Sequence, residues 1–179
     1  SPNDYPTLNA LILFGEKLTA DLVQIWQPHI LLSNSYGLTE SGMLNTVKRF
    51  TSPESLSTDI GRGFNCHSWI VEPDNHEKLT PVGCVGELVL HGFAMSRGFH
   101  NAPEMTARAF PPSMTWATPE INSLNWKYNR TGDLARFLPN GHIEVITRSD
   151  TQIKIRGRRV DVTEIEMAIK NANPHIGSI

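Results

Sequence analysis

The chain has 179 residues and a mass of 20.0 kDa, enough for one or two domains with a buried core, since a domain takes about 100–200 residues. Lys and Arg number 16 against 18 Asp and Glu, a formal net charge of −2, so no global basic field draws the chain onto nucleic acid or an anionic membrane, and neither is expected as a partner. Apolar runs such as Leu11 to Phe14 fall far short of the roughly 20 residues a spanning helix needs. The cysteines, Cys66 and Cys84, are too few for a disulfide framework or a four-cysteine zinc site and read as reduced thiols of a cytoplasmic protein. The sequence starts at Ser1-Pro2-Asn3 and stops at Ile179 shortly after an apparent helix, so a segment of something longer is expected.

Leu8 to Phe14, closed by Gly15, suits a strand buried on both faces of a parallel sheet. Thr19 then caps a helix in which Leu22, Val23, Ile25 and Trp26 recur at helical spacing until Pro28, and His29 to Leu32 gives a second buried strand. Strand, helix, strand is a right-handed crossover unit. The polar segment Ser33 to Gly42 is expected as a loop at the carboxyl end of that second strand, where open α/β sheets place ligands. From Asp59 the texture changes to short runs, Ser68 to Glu72, Val85 to His91, Leu134 to Phe137 and Ile143 to Ile146, with Pro139-Asn140-Gly141 as a hairpin turn between the last two. Asn101 is expected to cap a short helix over Pro103 to Phe110, and Pro111 to Asn125, without a clear period, to form an exposed loop. Ile153 and Ile155 alternate with Lys154 and Arg156 as a half-buried strand. Asp161 or Thr163, each followed three residues later by a glutamate, opens a helix running to about Asn173. The fold class read from this pattern is α/β, followed by a β-rich subdomain and the start of a small α+β subdomain, with boundaries at 1–58, 59–149 and 150–179.

Chemistry concentrates in Ser33-Asn34-Ser35-Tyr36-Gly37-Leu38-Thr39-Glu40. Tyr36 offers a ring face to a base and Asn34 an amide for a base edge. Gly37 lets the backbone approach closely. Thr39 can donate to a phosphate oxygen, and Glu40 is a hard oxygen ligand of the kind Mg²⁺ takes alongside substrate phosphates. On these letters alone, an ordinary polar turn with a helix cap is the simpler reading. Likewise Gly132-Asp133 in isolation reads as a turn bonding its own backbone, and Lys154, Arg156, Arg158 and Arg159 as a solvated basic strand edge.

Further segments shift that balance. Gly86-Glu87-Leu88-Val89-Leu90 with Ser96-Arg97-Gly98-Phe99, then Arg130-Thr131-Gly132-Asp133-Leu134, then Arg148-Ser149-Asp150-Thr151-Gln152-Ile153-Lys154-Ile155-Arg156-Gly157 resemble, in order, the core motifs of the adenylate-forming (AMP-binding) enzymes. Within that superfamily the chain is most similar to adenylation domains of nonribosomal peptide synthetases. The stretch Trp69 to His76, with Pro81-Val82-Gly83, looks like filamentous-fungal members. The fold implied is a truncated adenylate-forming fold.

The resemblance implies that an amino acid or other small carboxylic acid attacks the α-phosphorus of Mg-ATP. The resulting acyl-adenylate then passes its acyl group to the phosphopantetheine thiol of a carrier-protein domain. Asn34 and Tyr36 would hold adenine, Thr39 the α-phosphate, Glu40 the Mg²⁺, and Asp133 both ribose hydroxyls. Arg148 would contact the ribose or its neighbouring phosphate, and Asp150 would be the hinge of a mobile C-terminal subdomain. Ile12, Phe14, Ser35, Met43 and Leu44 would line an acyl pocket suited to a modest or hydrophobic group. Lys154 and Arg156 would meet the carrier or its phosphate. Against the family pattern, Leu38 replaces a proline, Asn129 a tyrosine, Thr147 a glycine and Val145 an aromatic, and Asp161 and Thr163 replace a glutamate and a glycine. The phosphate loop and the catalytic lysine of the family would lie outside residues 1–179, so these residues alone are not expected to adenylate a substrate. An acyl- or aryl-CoA ligase of the same superfamily and a degenerate, non-catalytic nucleotide-binding or interaction domain are the competing expectations.

Overall fold

The computed structural model describes residues 1–149, 152–155 and 158–173. Strand β1 (Ala10–Phe14), helix α1 (Ala20–Trp26) and strand β2 (Leu31–Tyr36) form the expected crossover, with β1 and β2 parallel. Thr19 caps α1 by accepting from the Leu22 amide, and Val23, Leu18, Leu32 and Phe50 bury the helix against one face of the sheet. The other face of β1 is not buried as expected. Ile12 and Phe14 point away from α1 and are 63% and 67% exposed, because alternate strand residues face opposite sides and α1 covers only one of them.

β2 also runs further than its apolar letters imply. Ser33 to Tyr36 are strand rather than loop, since β2 is paired on both edges, with β1 and antiparallel with β3 (Thr46–Arg49). Polar side chains are tolerated there because the ladder satisfies the backbone. Ser35, for example, donates its hydroxyl to the Thr46 carbonyl at 3.3 Å. Glu40 and its neighbours follow in a single 3₁₀ turn, Thr39–Ser41, stapled by Asn45, whose Oδ1 accepts from the Ser41 hydroxyl at 2.5 Å.

The chain continues through β4 (Asp59–Gly63), β5 (His67–Glu72), β6 (Asn75–Leu79), β7 (Gly86–Gly92), α2 (Pro103–Ala109), α3 (Pro119–Asn122), β8 (Lys127–Phe137) and β9 (Ile143–Arg148). A separate hairpin, β10 (Gln152–Ile155) with β11 (Arg158–Asp161), precedes α4 (Val162–Ala172). The main sheet has nine strands in the order β1-β2-β3-β4-β9-β8-β7-β5-β6, antiparallel everywhere except β1 with β2. Strand β7 is buried along its whole length. Leu88 and Leu90 enter one core with Ile60, Ile70, Ala135 and Ile143, and Val89 enters a second with Val71, Met114 and Tyr128.

That second core corrects the expectation of an exposed loop over 111–125. Met114 is buried, Trp116 and Ile121 pack beside it, Trp116 Nε1 donates to the His76 carbonyl at 3.0 Å, and residues 119–122 make a helical turn. The segment covers a sheet face with isolated anchors, so it has no period to read. Asn101 does not cap α2: the N-cap is Ala102, without a side-chain bond, and Asn101 takes a positive φ of 53° in the preceding turn. The start of the helix is held instead by Thr106, whose hydroxyl reaches the Ala102 carbonyl at 2.8 Å. The Asn140-Gly141 hairpin closes as expected, the Gly141 amide donating to Leu138 O at 2.8 Å. Asp161 caps α4 by accepting from the Thr163 amide at 2.9 Å.

Candidate functional site

A cleft of about 530 Å³ opens at the carboxyl ends of β1 and β2, where the crossover topology puts ligands. Its walls come from both halves of the sheet. The segment after β1, the end of β2 with Asn34, Ser35, Tyr36 and Gly37, and strands β8 and β9 with Asp133, Val145, Thr147 and Arg148 all contribute. Gly37 makes the close approach its identity permits, but to its own chain: a Cβ there would stand 1.9 Å from the Met43 carbonyl oxygen.

Asp133 is the charged centre of the cleft and is only 5% exposed. The β8–β9 register sets it directly opposite Arg148, so residues fifteen apart in sequence face each other, and Arg148 Nη1 donates to Asp133 Oδ1 at 2.9 Å. The Tyr36 hydroxyl donates to the other oxygen, Oδ2. Burial, and then the adjacent Asp133 charge, push the Tyr36 phenol well above its ordinary pKa of 10.0, which keeps it a neutral donor. Arg148 Nη2 continues to Gln152 Oε1 at 3.4 Å.

A smaller cleft of about 250 Å³ adjoins the first and shares Arg148 and Gln152 with it. Glu40 lines this second cleft together with Arg108, Asn129 and Arg130. The Glu40 carbonyl accepts from the Ser96 amide at 2.7 Å, which ties the 3₁₀ turn to the Ser96-Arg97-Gly98-Phe99 segment. Glu87 on β7 accepts from Arg130 Nη2 at 2.6 Å and from the Gly132 amide at 3.2 Å. The separated sequence motifs are thus wired to one another by hydrogen bonds.

Asn34, Ser35, Tyr36, Gly37, Asp133 and Arg148 therefore meet at one cleft and Glu40 at its neighbour. Thr39 is exposed on the turn just beside them. Ile12, Phe14, Met43 and Leu44 lie outside the cleft walls, 63%, 67%, 61% and 43% exposed; Ile12 and Phe14 pair in register with Ser33 and the buried Ser35 on β2. Asp150, Arg156 and Gly157 lie outside the described residues. Sequence reasoning missed Lys17, Thr58 and Ile60, which line the larger cleft. They belong to no motif, and only their places after β1, just before β4 and in β4 mark them. Among the substituted positions, Asn129 leaves its buried Oδ1 without a hydrogen-bond partner among the described residues. Asn129 is buried beside α2, Nδ2 lying 3.5 Å from the Ala109 carbonyl, and Val145 and Thr147 form cleft wall.

The family model of the AMP-binding enzymes matches residues 1–100, more than half of the chain. The chain belongs to the AMP-binding enzyme family. Its curated relatives include the nonribosomal peptide synthetase atnA of Emericella nidulans, 40% identical over 97% of this chain and 2% of that protein. HC-toxin synthetase of Cochliobolus carbonum is 40% identical over 94% of this chain and 3% of its own length. Among solved structures, the Vibrio cholerae adenylation domain AlmE, in complex with glycyl-adenosine-5′-phosphate, superposes with a TM-score of 0.79 at 29% identity, over 98% of this chain and 33% of that one. PA1221, an NRPS protein containing adenylation and PCP domains, superposes with a TM-score of 0.82 at 23% identity, over 97% and 35%, a likeness of fold. The chain thus spans 2–3% of these two synthetases and about a third of these two solved adenylation proteins.

Proposed function

We propose that this AMP-binding family member is the part of a peptide-synthetase adenylation domain that grips the adenosine of ATP and of the acyl-adenylate. The observation that carries the reading is the buried Asp133 carboxylate on the cleft wall, fixed by Tyr36 and Arg148. A carboxylate is an acceptor-only group with two oxygens, the chemistry that takes a pair of vicinal hydroxyls. Asn34 and the Tyr36 ring, on the same wall, would hold the base, and Thr39 would donate to the α-phosphate. Arg148 would place its positive charge beside the ribose and the reacting phosphate.

The acid's carboxylate oxygen would displace pyrophosphate at the α-phosphorus, a reaction that needs positioning and charge stabilisation more than a nucleophilic side chain. Glu40, half-buried at the wall of the adjoining cleft, is a hard oxygen donor of the kind that holds Mg²⁺ beside substrate phosphates. The bound ion would neutralise charge on the leaving pyrophosphate. Ile12, Phe14, Ser35, Met43 and Leu44 would contribute to the pocket for the acyl group, which their apolar surface suits to a hydrophobic or modest side chain. Residues 1–58 would be the end of the α/β core, 59–149 the β-rich subdomain, and 150–179 the start of a mobile subdomain hinged at Asp150. The acceptor of the acyl group would be the phosphopantetheine thiol of a carrier domain in the same cytoplasmic synthetase.

Supplying the full-length protein with Mg-ATP and labelled amino acids tests this. Label should appear on protein as an acid-stable, hydroxylamine-labile thioester, and Glu40→Gln should slow its formation about a hundredfold. Label recovered as a free coenzyme A thioester, or none from any acid, would overturn the reading.

A further inference from the structure

Strands β7 and β8 are not in simple register. Glu87 faces Leu134, and two residues later Val89 faces Arg130. On β8, therefore, Thr131, Gly132 and Asp133 stand opposite Leu88 alone, and the excess chain is pushed out as a bulge, the usual way a strand re-aims a side chain. Gly132 supplies the positive φ of 72° that the bulge requires. One side of the bulge is closed by Thr131, whose hydroxyl donates to the Leu88 carbonyl at 2.8 Å and accepts from the Asp133 amide at 3.0 Å. The other is closed by Glu87. Its Oε2 accepts from Arg130 Nε at 3.0 Å and Nη2 at 2.6 Å, and its Oε1 accepts from the Gly132 amide at 3.2 Å. One carboxylate thus clamps the residue that enters the bulge and the glycine immediately before Asp133.

Glu87 lies outside the walls of the larger cleft but lines the smaller one beside Glu40 and Arg130, and its side chain is 7% exposed, a placement that a carboxylate tolerates only when paired. Resting on the adenosine-binding role proposed for Asp133, we infer that Glu87 is a positioning residue for it. The Glu87 clamp holds the bulge in the one geometry that presents the Asp133 carboxylate to Tyr36, to Arg148 and to a pair of vicinal hydroxyls. Glu87 acts on the ribose through Asp133.

The test compares ATP with 2′,3′-dideoxy-ATP in amino-acid-dependent pyrophosphate exchange by the full-length protein, measured for wild type, Glu87→Ala, Glu87→Gln and Asp133→Ala. Asp133→Ala should abolish most of the preference of wild type for ATP. Glu87→Ala should lower kcat/KM for ATP about tenfold, the scale of a lost charged hydrogen bond, while changing kcat/KM for the dideoxy nucleotide less than threefold. Glu87→Gln keeps the volume and one acceptor for Gly132 but loses the ion pair, so its preference should fall between wild type and Glu87→Ala; it decides the matter if the alanine variant fails to fold. Equal losses with both nucleotides in the glutamine variant would mean that Glu87 only supports the fold and would overturn the inference. An unchanged preference in Asp133→Ala would overturn the adenosine-binding reading itself and the inference with it.

Discussion

Tyr36 does two things at the cleft: its ring forms wall and its hydroxyl donates to Asp133. Since its phenol is held well above 10, that donation persists across the working pH range. Tyr36→Phe should raise the KM for ATP about tenfold with kcat little changed, the cost of one hydrogen bond to a charged acceptor, and the wild-type KM should be flat between about pH 7 and 9. Steady-state kinetics check both. Away from the cleft, Asp59 receives Lys48 Nζ at 2.8 Å, His142 Nδ1 at 2.9 Å and the Gly61 amide at 2.7 Å. Burial works to raise its pKa, but those donors outweigh it and the net shift is below 3.8. The sign then follows. The unfolded carboxylate takes up its proton first as pH falls, so the stability Asp59 contributes is fully present above about 3.8 and is lost as pH drops through the lower folded value. Asp59→Asn should flatten the acid limb of an unfolding curve monitored below about pH 4, and an unaltered limb would contradict the assignment.

At the scale of elements, legibility tracked periodicity. The β1–α1–β2 crossover and the 140–141 hairpin announce themselves through apolar runs, a capping threonine and an Asn-Gly turn, each a local cause. What stayed hidden was non-local. β2 extends through Ser33 to Tyr36 because neighbours on both edges pair with it, and residues 111–125 pack because Met114 and Trp116 find a bare sheet face. The β8 bulge belongs to the same class: Gly132-Asp133 reads as a turn in isolation, and only the register with β7 makes it part of a strand. Gly132→Ala should therefore cost about 1–2 kcal/mol, the penalty of a left-handed backbone for a residue with a Cβ, read as a lowered urea midpoint. Met114→Ala should cost about 2–5 kcal/mol by the same measurement, where an exposed loop residue would cost almost nothing.

Across the whole molecule, the candidate site is assembled where the parallel start of the sheet meets its antiparallel remainder. Tyr36 comes from the former, Asp133 and Arg148 from the latter, and α1 lies on the side away from Ile12 and Phe14. Asn34, Tyr36, Gly37, Asp133 and Arg148, which meet there, were named by motifs, because a motif records chemistry rather than shape. Lys17, Thr58 and Ile60 were not, because lining a wall demands shape rather than one chemistry. Near-neutral net charge is compatible with the proposed site, where a polyphosphate would be met by local ligands instead of a global field. The most direct test of the central claim is amino-acid-dependent ATP–pyrophosphate exchange by the full-length protein, wild type against Asp133→Ala. Exchange with one or a few amino acids, falling at least about a hundredfold in the variant, is the predicted result; wild-type exchange that Asp133→Ala leaves intact would contradict it.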